Sequence, residues 1–147
     1  MNYRKPFSQT DALLEQLFKT ASFSRFLEQN EAVMQMQKFH VSLCSLCEEK
    51  GLVREHIIKR AGIERTYGHQ IFRGTREPSR DKVIQLAFGF PLTVEEAQKL
   101  LKIAGKSPLY PRLKRDAAII FCLNRKDSMV EVQLLLNSLG LSLLGEE

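Results

Sequence analysis

The sequence predicts an all-α protein in which a five-helix domain carries extra helices at both ends. Three observations favour this fold class. Apolar residues recur every three or four positions along most of the chain, which is the spacing of one helix face. Residues that can end a helix follow these stretches at Gly62, Gly74, Gly105 and Gly140. Two capping boxes have the spacing of helix starts: Thr93 with Glu96, and Ser128 with Glu131.

Residues 1–37 are predicted to form an N-terminal helical arm. We expect residues 1–7 to be disordered or loosely attached. A first helix is expected near Ser8, with an apolar face that includes Leu13 and Leu17, and a second from Ser24 to about Met36. No motif indicates what this arm does, so packing on the domain, dimerisation and partner binding all stay open.

Residues 38–105 are predicted to hold the five helices of the central domain. Their expected ranges are about 38–50, 53–61, 64–72, 80–88 and 94–104. Gly62 and Ile63 separate the second helix from the third by a tight turn. Two short helices joined by a three- or four-residue turn that contains glycine are the signature of a helix-turn-helix.

Residues 106–147 are predicted to form a C-terminal helical pair, the first helix from Arg112 to Asn124 and the second after Ser128. Both are rich in apolar residues, and such helices need a partner surface. They can pack on the central domain, on the N-terminal helices or on a second subunit. No internal repeat is evident.

The stretch from Leu52 to Ser79 resembles the helix-turn-helix of Xre/Cro-type (lambda-repressor-like) transcriptional regulators. The matching positions are Leu52, Arg54, Glu55, Ile57, Gly62, Ile63, Arg65, Ile71, Gly74, Arg76, Pro78 and Ser79. The resemblance implies a five-helix domain that binds double-stranded DNA with its third helix in the major groove. It also implies a homodimer that reads an inverted repeat and represses transcription.

Two positions depart from the family pattern. Ile58 stands where the family has a small residue, and Gly68 stands where it has an aliphatic one. A large side chain on one helix and a small one on the other conserve the total volume. We therefore expect Ile58 to pack over Gly68.

The resemblance assigns DNA contacts to two groups of residues. Candidates for base contacts on the recognition helix are Glu64, Arg65, Thr66, His69, Gln70 and Arg73. Candidates for phosphate contacts, which position the protein without reading sequence, are Arg54, Thr75, Arg76, Ser79 and Arg80. Tyr67 is expected to pack rather than to stack on a base.

Charge and cysteine content agree with this hypothesis. The net charge is +5, and the excess of positive charge begins at the motif. The three cysteines form neither a disulfide framework nor a zinc pattern, so we expect no metal and no cofactor. No apolar run reaches the roughly 18 residues of a membrane span. A cytoplasmic protein is expected.

An alternative is a protein-interaction module, an adaptor or antitoxin, on a helix-turn-helix scaffold. Partners would then bind through the N-terminal or C-terminal helices. An exposed set of Arg65, Gln70, Arg73 and Arg76 would favour DNA, whereas a groove of exposed apolar residues would favour protein. No catalytic motif is visible, so an enzyme is not expected.

Overall fold

The computed structural model describes residues 9–34 and 38–146, and within these residues it contains nine α-helices and no strand. The chain divides into two compact units between residues 36 and 37. The predicted loose arm over residues 1–7 and the expected helix end at Met36 lie outside the described residues. The expectation of an all-α protein is confirmed for the described part.

The first unit contains two helices, α1 (Gln9–Lys19) and α2 (Phe23–Met34), which pack against each other. A side-chain hydrogen bond from Gln16 to Gln29 joins them, at 3.2 Å. Phe26 is buried, whereas Phe18 and Phe23 are 78% and 60% exposed. The amphipathic pattern thus leaves large aromatic side chains in contact with solvent.

The second unit begins with the five predicted helices. They are α3 (Phe39–Lys50), α4 (Arg54–Arg60), α5 (Arg65–Arg73), α6 (Arg80–Gly89) and α7 (Val94–Ile103). Each lies within two residues of the predicted bounds. Gly51, Gly74 and Gly105 have positive φ where α3, α5 and α7 end, a conformation that glycine adopts without strain.

The predicted contact between Ile58 and Gly68 is present. An ideal Cβ built on Gly68 would lie 2.5 Å from Cγ2 of Ile58, and both residues are buried. No residue larger than glycine therefore fits at position 68 of α5 without displacing Ile58. This pair sets how closely α4 and α5 approach.

The C-terminal helices are α8 (Lys114–Arg125) and α9 (Met129–Ser138). Of the three partner surfaces considered, the structure shows the central domain: α8 packs on α7, and α9 packs on α6. Ile119, Val132 and Leu136 belong to the same buried core as Val83. One hydrophobic core thus runs through the whole second unit.

The expectation that the chain has no internal repeat is wrong. Residues 114–145 repeat residues 79–110 with a shift of 35 positions, so α8 and α9 correspond to α6 and α7. Ten of the 32 paired positions are identical, and in the first copy they are Arg80, Asp81, Ile84, Glu96, Gln98, Leu100, Leu101, Gly105, Ser107 and Leu109. Substitutions at most other positions hide the repeat from simple inspection.

Reciprocal ion pairs join the two copies. Arg80 donates two hydrogen bonds to Asp116, at 3.2 and 2.9 Å, and Arg115 donates two to Asp81, both at 3.0 Å. The backbone N–H of Tyr110 donates to Asp116, and the equivalent N–H of Gly145 donates to Asp81. Each copy gives the other the same contacts, which is the pattern of an isologous dimer within one chain.

Each copy also fastens the segment that follows its second helix. The side chain of Gln98 accepts from the N–H of Leu109 and donates to its carbonyl, at 2.7 and 2.8 Å. Gln133 binds Leu144 in the same way, at 2.8 and 2.9 Å. Both leucines are buried. The C-terminal tail is therefore held on the domain as firmly as the α7–α8 connection.

Candidate nucleic-acid interface

The turn between α4 and α5 places α5 at the surface of the second unit. Gly62 adopts φ of 68°, and Ile63 points into the core with 6% of its surface exposed. Ile71 and Phe72 bury the inner face of α5. The opposite face of α5 consequently carries polar side chains toward solvent.

The six predicted base-contacting residues lie on this helix or at its cap. Glu64, Arg65, Thr66 and Arg73 are exposed, and His69 and Gln70 are half-buried. The side chain of Arg73 forms no hydrogen bond or ion pair with any other residue that the structure describes. Its guanidinium is therefore available to an external anion.

Glu64 caps α5 rather than standing clear of it. Its carboxylate accepts hydrogen bonds from the N–H groups of Thr66 and Tyr67, at 2.9 and 2.8 Å. These two backbone hydrogen bonds hold the pKa of Glu64 below its ordinary value. A base contact by this carboxylate would compete with its capping role.

Glu55 on α4 holds two of the predicted base-reading side chains. Arg65 donates to it through Nη2 at 2.8 Å, and Nε2 of His69 lies 2.9 Å from the same oxygen. Hydrogen bonds from Arg65 and then His69 lower the pKa of Glu55 to about 2. The ion pair of Glu55 with Arg65 is exposed to solvent and therefore weak. It orients the guanidinium, and breaking it to form a contact with DNA would cost little free energy.

The loop after α5 continues the polar surface. The guanidinium of Arg76 lies 4.3 Å from the ring centroid of Tyr67, and Nη1 donates to Oε1 of Gln70 at 3.4 Å. The hydroxyl of Thr75 donates to the carbonyl of Gln70 at 3.2 Å. Thr75 and Arg76 are exposed. Tyr67 is half-buried and supports Arg76, in keeping with the packing role expected for it.

Arg54 and Ser79 are held locally. Arg54 donates to Sγ of Cys44 at 3.1 Å and lies 5.4 Å from the ring centroid of Phe72. Ser79 caps α6 by accepting from the N–H of Lys82 at 3.3 Å. Arg54 remains exposed, whereas Ser79 is half-buried.

Arg80, to which the resemblance assigns a phosphate contact, is bonded to residues of α8 and of the segment before it. Besides Asp116, it donates to the carbonyls of Ser107 and Pro108, at 3.0 and 2.9 Å. Its side chain is 25% exposed, and that of Asp116 is 4% exposed. Four of the five N–H donors of this guanidinium are engaged within the chain.

Sequence reasoning missed three residues beside the interface. Lys38, His40 and Lys106 line a pocket of about 430 Å³ together with Arg76 and Gly74. Lys106 follows Lys99 and Lys102 in a basic stretch of the sequence, and that stretch is the signal that could have identified it. The two lysines extend the positive surface beyond the predicted loop.

Within the described residues, no group of three or more His, Cys, Asp or Glu side chains could hold a metal ion, and no helix is long and apolar enough to cross a membrane. Cys44, Cys47 and Cys122 are free thiols. No family model, no curated protein and no solved structure matches this chain.

Proposed function

We propose that this protein is a sequence-specific, double-stranded DNA-binding regulator of transcription of the Xre/Cro type. The observation that carries the proposal is the outer face of α5, where Arg65, Thr66 and Arg73 are exposed beside the loop residues Thr75 and Arg76. Arginine is the side chain best suited to bind guanine and phosphate by paired hydrogen bonds. The short α4–turn–α5 unit supports the same assignment.

In the proposed complex α5 enters the major groove. Arg65 and Gln70 read base edges, and Arg54, Thr75 and Arg76 bind the flanking phosphates. Lys38 and Lys106 add to the electrostatic attraction. Binding to a promoter would make the protein a repressor, and a homodimer would read two half-sites of an inverted repeat.

A matched pair of arginines tests the proposed face. Arg73 and Arg112 are both exposed, and neither forms a hydrogen bond or ion pair with a described residue. Only Arg73 lies on α5. In fluorescence anisotropy with labelled duplex DNA, Arg73→Ala should weaken binding, whereas Arg112→Ala should leave it close to that of the unmodified chain.

Salt dependence provides a second measurement on the same proteins. Affinity should fall steeply between about 50 and 200 mM salt, because cation release accompanies each phosphate contact. The slope of log K against log salt should become shallower in Arg76→Ala, which removes a proposed phosphate contact. Equal slopes in all variants, Arg112→Ala included, would place the DNA-binding surface elsewhere.

The alternative is an adaptor or antitoxin that binds protein. It is favoured by the exposed apolar residues outside α5, among them Phe18 at 78%, Val130 at 68% and Leu134 at 64%. These residues do not belong to the polar face of α5. An interaction role is therefore compatible with DNA binding through a different surface.

A further inference from the structure

The two copies of the internal repeat each form a groove between their second helix and the segment that follows it. In the first copy the groove measures about 480 Å³ and is lined by Lys99, Lys102 and Lys106 with Gln98 and Pro108; we call it the lysine groove. In the second copy it measures about 580 Å³, and we call it the apolar groove. Its walls are Met129, Val130, Leu134, Leu143 and Leu144.

The apolar groove differs from the lysine groove at positions where the first copy carries charge. Val130 corresponds to Glu95, and Leu134 corresponds to Lys99. The remaining framework is the same, because Gln133 fastens Leu144 as Gln98 fastens Leu109. Since both copies fold alike, folding does not require the apolar side chains. Val130 and Leu134 are 68% and 64% exposed, which indicates a surface that another molecule covers.

One cation stands in the lining of the apolar groove. Nζ of Lys82 donates to Oε1 of Gln85 at 3.3 Å and forms no ion pair with any carboxylate of the described residues. Lys82 belongs to the first copy but lines the groove of the second copy. The residue that corresponds to it in the second copy is Ala117, so no cation from the second copy lines the lysine groove in the same way. A positive charge beside apolar walls is complementary to an anionic head on an apolar body.

We propose that the apolar groove binds a small amphipathic carboxylic acid. The carboxylate lies at Lys82, and the apolar body lies along Val130 and Leu134. The volume of about 580 Å³ is within the range of pockets that hold small ligands. Neither a metal nor a covalent step is involved.

The groove contacts the DNA-binding unit directly, which gives the ligand a regulatory effect that rests on the proposed function. Gly62, the turn glycine between α4 and α5, lines the groove. Nζ of Lys82 also lies 5.6 Å from the ring centroid of Tyr67 on α5, the same ring that the guanidinium of Arg76 contacts. A carboxylate that draws Lys82 toward the groove moves this cation away from the ring of Tyr67. The position of the ring, and of the Arg76 guanidinium that packs on it, would then change.

Isothermal titration of the full chain with decanoate tests binding without DNA. We expect saturable binding, at least tenfold weaker binding to Lys82→Met, and at least tenfold weaker binding of decanol to the unmodified chain. Leu134→Lys, which restores the residue of the first copy, should also abolish binding. Lys99→Met changes the lysine groove in a matched way and should leave decanoate affinity unchanged. Thermal melts verify that each variant is folded.

Three results would overturn the proposal. One is no binding of decanoate, and another is equal binding by Lys82→Met. The third is a dimer in solution that Leu134→Lys converts to a monomer, because a second copy would then occupy the groove. DNA anisotropy with and without decanoate is a separate readout. Decanoate binding in a chain that binds no DNA would support the site and contradict the proposed function.

Discussion

Replacing Asp116 by Asn tests the reciprocal ion pairs that join the two copies of the repeat. The side chain of Asp116 is 4% exposed and accepts from Arg80 and from the N–H of Tyr110. Asparagine keeps the shape but removes the charge and one acceptor oxygen. The guanidinium of Arg80 is then left without its counter-ion in a largely buried place.

The magnitude follows from that burial. Breaking a fully buried ion pair costs about 3–5 kcal/mol, and Arg80 is one quarter exposed, so we expect a loss of about 2–4 kcal/mol. In a chain of this length 1 kcal/mol lowers Tm by roughly 3–5 °C. The midpoint of thermal unfolding, followed by circular dichroism, should fall by about 6–20 °C.

A double-mutant cycle and a control complete this experiment. Asp116→Asn and Arg80→Gln together should cost less than the sum of the two single changes, because both remove the same interaction. Glu77→Gln, at an exposed carboxylate, should leave Tm nearly unchanged. Additive single effects, or an Asp116→Asn variant that melts with the unmodified chain, would refute the structural role of the pair.

Three further predictions concern α4, α5 and the loop that follows α5. Gly68→Ala should destabilise the fold by about 1–3 kcal/mol in thermal melts, since its Cβ would lie 2.5 Å from Cγ2 of Ile58. Ile58→Ala should offset part of that loss, and a stabilised Gly68→Ala would contradict the packing. The pKa of Glu55, followed by NMR of its carboxyl carbon, should lie at about 2 and rise toward 4.5 in Arg65→Ala. Because the folded-state pKa is depressed, the stabilisation from Glu55 is complete above about pH 4.5 and is lost as pH falls toward 2. An NMR midpoint near 4.5 in the unmodified chain would show that the contact with Arg65 does not persist. Arg65→Ala should weaken binding to a specific duplex by about 1–3 kcal/mol and relax one base position. Arg76→Ala should weaken binding to all duplexes alike, and identical sequence profiles for the two variants would remove α5 from the role of reader.

The helices could be predicted from local signals. Apolar periodicity and the capping boxes at Thr93 and Ser128 act over a few residues, and both boxes are formed in the structure. The contact of Ile58 with Gly68 was also predictable, because the turn places both residues between the same two helices. In each case the deciding interactions lie close together in sequence.

Contacts between distant residues could not be predicted in this way. Arg80 has the position and charge of a phosphate ligand, and only the placement of Asp116, Ser107 and Pro108 shows that its donors are used within the chain. The repeat carried a usable signal, since Arg-Asp occurs at positions 80–81 and again at 115–116. Pairing those two dipeptides would have predicted the reciprocal contacts.

The internal repeat also bears on the proposed homodimer. The faces of α6 and α7 that meet α9 and α8 are already covered within one chain. A second subunit would have to bind elsewhere. The mass in solution tests whether a homodimer forms, and the symmetry of the bound DNA site tests whether two subunits bind DNA together.

Selection of bound duplexes from a random DNA library, at near-physiological salt, tests the central claim most directly. We expect one enriched sequence, an inverted repeat with half-site centres about ten base pairs apart, whose recovery depends on Arg65. Recovery of no enriched sequence would contradict sequence-specific recognition by α5 and would favour a protein-interaction role for this chain.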